Sequence, residues 1–237
     1  QEALRENIEI IAITDHLEYQ PKKQDIPNPD LNRSYIIAKG SVSEKDLIVL
    51  RGSEITRDMP PGHFNAIFIK DANKLLNLND SIAGIIEANK QGAFVFWNHP
   101  NWTSKNAGRI DGIARLDPLH KELISKNLIH GLEVANVYTF SEEALEIAIE
   151  NNLTILGTSD IHGLVDWDFD IPNGGHRPLT FILSKDQSIE SIKDALFNGD
   201  TFVWFKDLII GKEENILPII KSNLNLKPLG YSGAVSY

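Results

Sequence analysis

The chain has 237 residues, with 23 Lys and Arg against 33 Asp and Glu, a formal net charge of −10 with neutral histidines. That length suits one large domain or two small ones and can bury a substantial core, while 42% apolar and 24% charged residues exclude disorder, collagen and coiled coil. The acidic balance argues against wrapping nucleic acid, no apolar run reaches the ~18 residues of a membrane span, and the absence of cysteine removes disulfides and thiolate zinc sites.

Taken in chain order, residues 2–7 read as the tail of a helix, and 8–13, rich in β-branched residues, as a buried strand. A Pro-, Asn- and Lys-containing loop follows over 21–29, then a helix over 34–43 and strands over 47–50 and 65–69. Ser81 is the expected cap of a helix reaching Lys90, with Gly92 as its stop. A strand over 93–97 ends in Asn98-His99-Pro100; a helix over 117–126 and a strand over 131–137 come next. Ser141 opens a helix with acidic residues in its first turn, which suits the helix dipole. A strand over 153–156 runs into Gly157-Thr158-Ser159-Asp160-Ile161-His162, followed by a strand over 179–183, a helix over 189–197 and a strand over 201–205. The division is 1–210 as one domain, without an internal linker, and 211–237 as a C-terminal helix and tail packed on it or trailing from it. Strands alternating with helices indicate βαβ units around a parallel sheet, and about seven strands favour a closed or nearly closed barrel.

Ligand-type side chains fall at the expected strand ends. His16 follows Ile10-Ile11-Ala12-Ile13-Thr14-Asp15; Glu54 follows the 47–50 strand; His99 follows Trp97-Asn98; Asn136 lies late in its strand; Asp160 and His162 follow the 153–156 strand. In parallel α/β architectures these ends share one face, where sites are built. His63 precedes a strand and returns toward Glu54. Taken singly, each residue reads as an ordinary turn or surface group; the set carries the argument. Imidazoles and carboxylates suit Zn, Mn and Fe, and closely spaced ions of this kind polarise a phosphoryl oxygen and lower the pKa of a bound water, which suits phosphoester hydrolysis. A bound metal also reconciles an acidic protein with an anionic substrate. His120 and His130 read as surface residues, and His176 is undecided. Trp97, Trp102 and Trp167 lie near the rim, where packing is a simpler role than stacking on a substrate ring.

The ordered set Thr14-Asp15-His16, Gly52-Ser53-Glu54, Gly62-His63, Asn98-His99-Pro100, Gly131-Leu132-Glu133-Val134 and Thr158 to His162 resembles the PHP (polymerase and histidinol phosphatase) family over about residues 8–205. Gly52-Ser53-Glu54-Ile55-Thr56 and Pro60-Pro61-Gly62-His63-Phe64-Asn65-Ala66 resemble its group of metal-dependent phosphoesterases known only by prediction. The resemblance implies a distorted (β/α)7 barrel with two or three divalent ions (Mn, Zn or Fe) at its rim. Carried over, Glu54 bridges two ions, His63 and His99 join it on one, Asp160 binds a second, and His16 and His162 bind a third. His16, Asp160 and His162 would be the catalytic groups of a hydrolase in which a metal-bound hydroxide attacks a small phosphorylated substrate. Arg57 and Arg177 are candidates to hold its phosphate, although a solvated loop arginine is the simpler reading of each.

One departure is large. The family opens with a strand ending in His-x-His, and no such motif occurs here. The expectation is a chain shown without its true N-terminus, the rival being a natural lesion of one metal site; compartment, cytoplasmic or exported, stays open. A module of the same fold that binds metal or phosphorylated ligands without turnover is therefore the alternative to an enzyme, and hydrolysis of C–N bonds on related metal barrels is a third possibility.

Overall fold

The computed structural model describes residues 1–25, 27–224, 231–232 and 235–236. Much of the expected tail beyond Leu224 lies outside them. Among the described residues no helix is long and apolar enough to cross a membrane.

The principal sheet takes strands β1 (Ile10–Ile13), β2 (Ile48–Ile55), β3 (Phe64–Ile67), β4 (Phe94–Trp97) and β5 (Gly131–Asn136) in spatial order, with the two-residue β6 (Thr139–Phe140) on one part of β5 and β7 (Thr154–Thr158) along its other edge. It curls into a half-barrel. A second, antiparallel sheet holds β8 (Leu179–Ile182), β9 (Thr201–Phe205) and β10 (Leu208–Gly211). Thr180 joins the two: its hydroxyl accepts from Gly157 N–H at 2.9 Å and donates to Gly157 C=O at 2.8 Å. Gly157 is required there, because a Cβ would stand 2.4 Å from a methyl of Val203.

The expected all-parallel order is corrected. β1–β2, β4–β5 and β5–β7 are parallel, but β2–β3 and β3–β4 are antiparallel. The connection from β2 to β3 is a short loop without a crossover helix, and a short loop can only return antiparallel. β2 is also longer than expected and carries Glu54 within it. β1 is only partly buried, with Ala12 exposed, so the β-branched run marks a strand at the sheet's edge. Ser81 does not cap the third helix, α3 (Ala83–Lys90, after α1, Glu2–Arg5, and α2, Arg33–Gly40); Asp80 accepts from Ile82 N–H at 2.9 Å just before it instead. Ser141 does cap α5 (Glu142–Glu150), accepting from Ala144 N–H at 3.1 Å.

Strand alternation divides the core in two. Ile55, Phe64, Ala66, Val95, Trp97, Leu132 and Val134 face one way, toward Ile85 and Ala88 of α3, Leu123 of α4 (Pro118–Ser125) and Ala144 and Ala148 of α5. Leu50, Ile67, Phe94, Phe96 and Leu156 face the other, with Ile192 and Leu196 of α7 (Ile189–Asn198) packed against them. Between β7 and β8 lies the short α6 (Val165–Phe169). The final helix, α8 (Glu213–Asn223), is tied to the start of β9 by Asn215, whose amide donates to Gly199 C=O at 2.8 Å and Thr201 C=O at 3.0 Å.

Candidate metal centre

The β1–β2 pairing continues past the strand ends. An isolated parallel bridge joins His16 to Glu54; Leu17 N–H donates to Glu54 C=O at 2.9 Å and Glu54 N–H to Asp15 C=O at 3.0 Å. This register carries both side chains to one rim. β3 runs antiparallel to β2, so its entry, not its exit, lies at that rim, and His63 arrives there one residue before Phe64. Gly62 makes the approach with φ +85, a left-handed conformation that glycine adopts without steric cost.

Glu54 is 4% exposed. Its Oε1 stands 2.9 Å from His16 Nδ1 and 3.0 Å from His63 Nδ1. Glu54, His63 and His99 each offer a ligand atom within 4.8 Å of the others, and all three residues are buried. Ligand atoms ~2.1 Å from an ion stand ~3 Å apart at right angles, so this spacing and donor chemistry fit a divalent cation. His16 Nε2 and His162 Nε2 face each other at 3.3 Å, forming a second, more exposed pair of imidazoles beside the first group. Asp160 hydrogen-bonds His162 through its main-chain oxygen, at 2.8 Å from Nδ1.

Burial alone would push the Glu54 carboxyl up, but hydrogen bonds from His16 and His63 outweigh it and hold the group well below the usual carboxylate range. The bond to Glu54 raises the pKa of His16. Burial, with the neighbouring His63 charge, lowers that of His99, which keeps its imidazole in the neutral form that ligation needs.

Glu133 was not among the expected site residues. It is 1% exposed. Its Oε2 accepts from His99 N–H at 2.7 Å and from the Asn136 amide at 3.0 Å, and its Oε1 accepts from the Thr158 hydroxyl at 2.5 Å. Burial pushes its carboxyl up to about 8, with Asp160 and Glu54 adding to the effect and the Thr158 and His99 hydrogen bonds opposing it. A register shift between Glu133 and Ala135 explains why residues 133 and 136 meet: in a regular strand, positions three apart point to opposite faces, and the bulge turns Asn136 back toward Glu133. Its signals in the sequence are a carboxylate between apolar neighbours and its place in the Gly131-Leu132-Glu133-Val134 motif.

The two arginines are engaged. Arg57 Nε lies 3.0 Å from Glu18 Oε1, and its terminal nitrogen reaches the main-chain oxygens of Asn77 and Asp80. Arg177 is buried, with Nη2 3.2 Å from Glu6 Oε2. A phosphate would have to compete with these carboxylates.

Two histidines expected at the surface are not there. His120 is 0% exposed, stacks on Trp97 at 4.0 Å, donates from Nε2 to Pro61 C=O at 2.7 Å and accepts from Asp117 N–H at 3.1 Å. It therefore fastens the loop that delivers His63. His130 is half-buried between Phe94 and Phe197 and accepts from Val95 N–H at 2.9 Å. His176 stacks on Trp204 at 5.0 Å. Trp97 is core, Trp167 is 80% exposed, and Trp102, 45% exposed, lies against His63 and His99 with ring centres 5.4 and 5.1 Å away.

No family model and no curated protein matches the chain. Among solved structures, it is similar to a two-domain protein of Bacteroides vulgatus named as containing a predicted PHP-like metal-dependent phosphoesterase: 39% identity, a TM-score of 0.90, and coverage of 98% of this chain and 66% of that one. This chain is a PHP-like domain. A protein of Bifidobacterium adolescentis, provisionally named a metal-dependent phosphoesterase, shares 14% identity with a TM-score of 0.50 over 95% of this chain and 90% of its own, a likeness of fold alone. The PHP-like chain thus spans 66% of the Bacteroides protein, and the activity of that whole protein is not carried over with the fold.

Proposed function

We propose that this PHP-like domain is a metal-dependent phosphoesterase acting on a small phosphorylated substrate. The observation that carries the reading is one buried carboxylate, Glu54, contacted by His16 and His63 through the same oxygen, with His63 and His99 completing a three-residue group around it. We read the half-barrel as part of a distorted (β/α)7 barrel of the PHP type. In this reading Glu54, His63 and His99 hold one divalent ion, and Asp160, His16 and His162 extend the site to two or three ions of Mn, Zn or Fe, metals that mixed imidazole and carboxylate ligands accept. Such ions supply Lewis acidity toward a phosphoryl oxygen and a lowered pKa for water.

The chain's own groups do the rest. Glu54 offsets cationic charge from within the protein. His99 is held neutral by burial, ready to ligate. His162, whose side chain is 63% exposed, donates from Nδ1 to the Asp160 main-chain oxygen, which leaves Nε2 free to ligate an ion. Trp102 packs against the His63 and His99 rings and helps fix their orientation.

The test is metal analysis of the purified protein together with a phosphate-release screen over sugar phosphates, nucleotides and aryl phosphates. Bound Mn, Zn or Fe with metal-dependent release of phosphate supports the proposal. Bound metal without turnover on any ester would favour the binding module instead, and absence of tight metal binding would end the phosphoesterase reading.

A further inference from the structure

The metal reading uses residues from five strands, β1, β2, β3, β4 and β7. The ends of β4 and β7 have no main-chain hydrogen bond to each other; their strands are separated by β5. Both carry an expected ligand in a left-handed conformation, His99 at φ +27 and Asp160 at φ +49. Non-glycine residues persist in such conformations only where their surroundings hold them. One side chain reaches both ends from between: Glu133, on β5.

We infer that Glu133 is a positioning residue, a buried bracket whose carboxylate sets the β4 and β7 ends so that His99 and Asp160 meet a metal ion together; the inference rests on the metal-site reading above. Oε2 accepts from the main-chain N–H of His99 itself, and Oε1 accepts from Thr158, two residues before Asp160. Asn136, returned to the same face by the bulge, fills the remaining acceptor direction of Oε2 and fixes the carboxylate's rotation. His99 N–H and the Asn136 amide donate, and the Thr158 hydroxyl can donate or accept. Two carboxyl oxygens can engage all three, whereas an apolar side chain of the same size would leave the His99 N–H unpaired in the interior.

Filling space and accepting hydrogen bonds are separable. Glu133→Leu keeps the volume and removes both acceptors. Glu133→Gln keeps one acceptor oxygen for the His99 N–H, and its amide can donate to the Thr158 hydroxyl. Metal affinity, measured by competition against a chromophoric chelator with Mn and Zn, and the thermal midpoint of the metal-free protein are read side by side with wild type. The expected result for Glu133→Leu is an affinity loss of about tenfold to a hundredfold, the range for groups that orient metal ligands, with Glu133→Gln recovering most of it. Wild-type affinity in Glu133→Leu, or an equal loss in Glu133→Gln, overturns the inference, the first because volume then suffices and the second because charge then matters more than the bracket. Should Glu133→Leu fail to fold, Thr158→Val decides: it removes one strut, and unchanged affinity there refutes the bracket. A wild-type protein that binds neither metal is a different failure, that of the metal-site reading itself.

Discussion

His16 and Glu54 lie side by side at the ends of two parallel strands, Nδ1 to Oε1 at 2.9 Å, because the β1–β2 register runs on unbroken past the last regular pair. The Thr56 hydroxyl touches both, 2.8 Å from His16 Nδ1 and 3.0 Å from Glu54 Oε1. Two imidazoles on one buried carboxylate form the centre of the proposed site, and its consequences can be measured.

Replacing Glu54 by Gln removes the charge that balances a cation while keeping the shape. Bound metal should fall to less than half of the wild-type content, and phosphate release by at least ~100-fold, more than the loss typical of outer groups. Elemental analysis and initial rates on the same preparation check this. A variant with wild-type metal content and turnover would place the site elsewhere.

Stripping the metal should cost stability as well as activity. An ion that binds only the folded state at a hundred times its Kd adds ~2.7 kcal/mol. The thermal midpoint should therefore drop on treatment with a strong chelator and return on adding Mn or Zn in excess. An unchanged midpoint would show that the Glu54, His63 and His99 group holds no ion in solution.

His120 acts at a distance from the chemistry. His120→Phe fills the same space against Trp97 but leaves Pro61 C=O and Asp117 N–H without partners. Each unsatisfied buried group costs ~1–3 kcal/mol, so denaturant titration should show a loss of about 2–4 kcal/mol. Metal affinity should also weaken, since Pro61 begins the loop to His63. Full stability in this variant would mean that the loop holds itself.

His130 predicts a pH dependence whose sign is determinate. Burial, with Lys193 nearby, lowers its pKa from 6.5 to about 4. Between those values the unfolded chain takes up the proton more readily than the folded one, so stability falls as pH drops from ~6.5 toward ~4 and is flat in this respect above 7. With partial solvent screening, the contribution is about 1–2 kcal/mol. The difference in unfolding free energy between pH 7 and pH 5 should shrink in His130→Gln; an identical difference would assign the acid sensitivity to other groups.

What the linear sequence determined was which residues form strands and what stands at their ends. β-branched and aromatic runs mark β1, β4 and β9, and the polar residues just past the ends of β1, β4 and β7, His16, His99, Asp160 and His162, are conspicuous because an apolar strand has no local need of them. Their order also carried the family resemblance. Pairing direction is not legible, because a loop's return path depends on which surface its strand must cover; hence the alternating pattern alone predicts a parallel sheet where β2, β3 and β4 are antiparallel. The short β6 and β10 and the α6 helix, too brief for a periodic signal, went unread. Burial of single polar residues lay further out of reach. His120 and Glu133 are tolerated inside only because distant chain supplies partners, Pro61 C=O for one, His99 N–H and Thr158 for the other. A side chain's identity states what bonds it can make; whether those partners stand within 3 Å is decided by packing between segments far apart in the chain, and that is a property of the folded molecule alone.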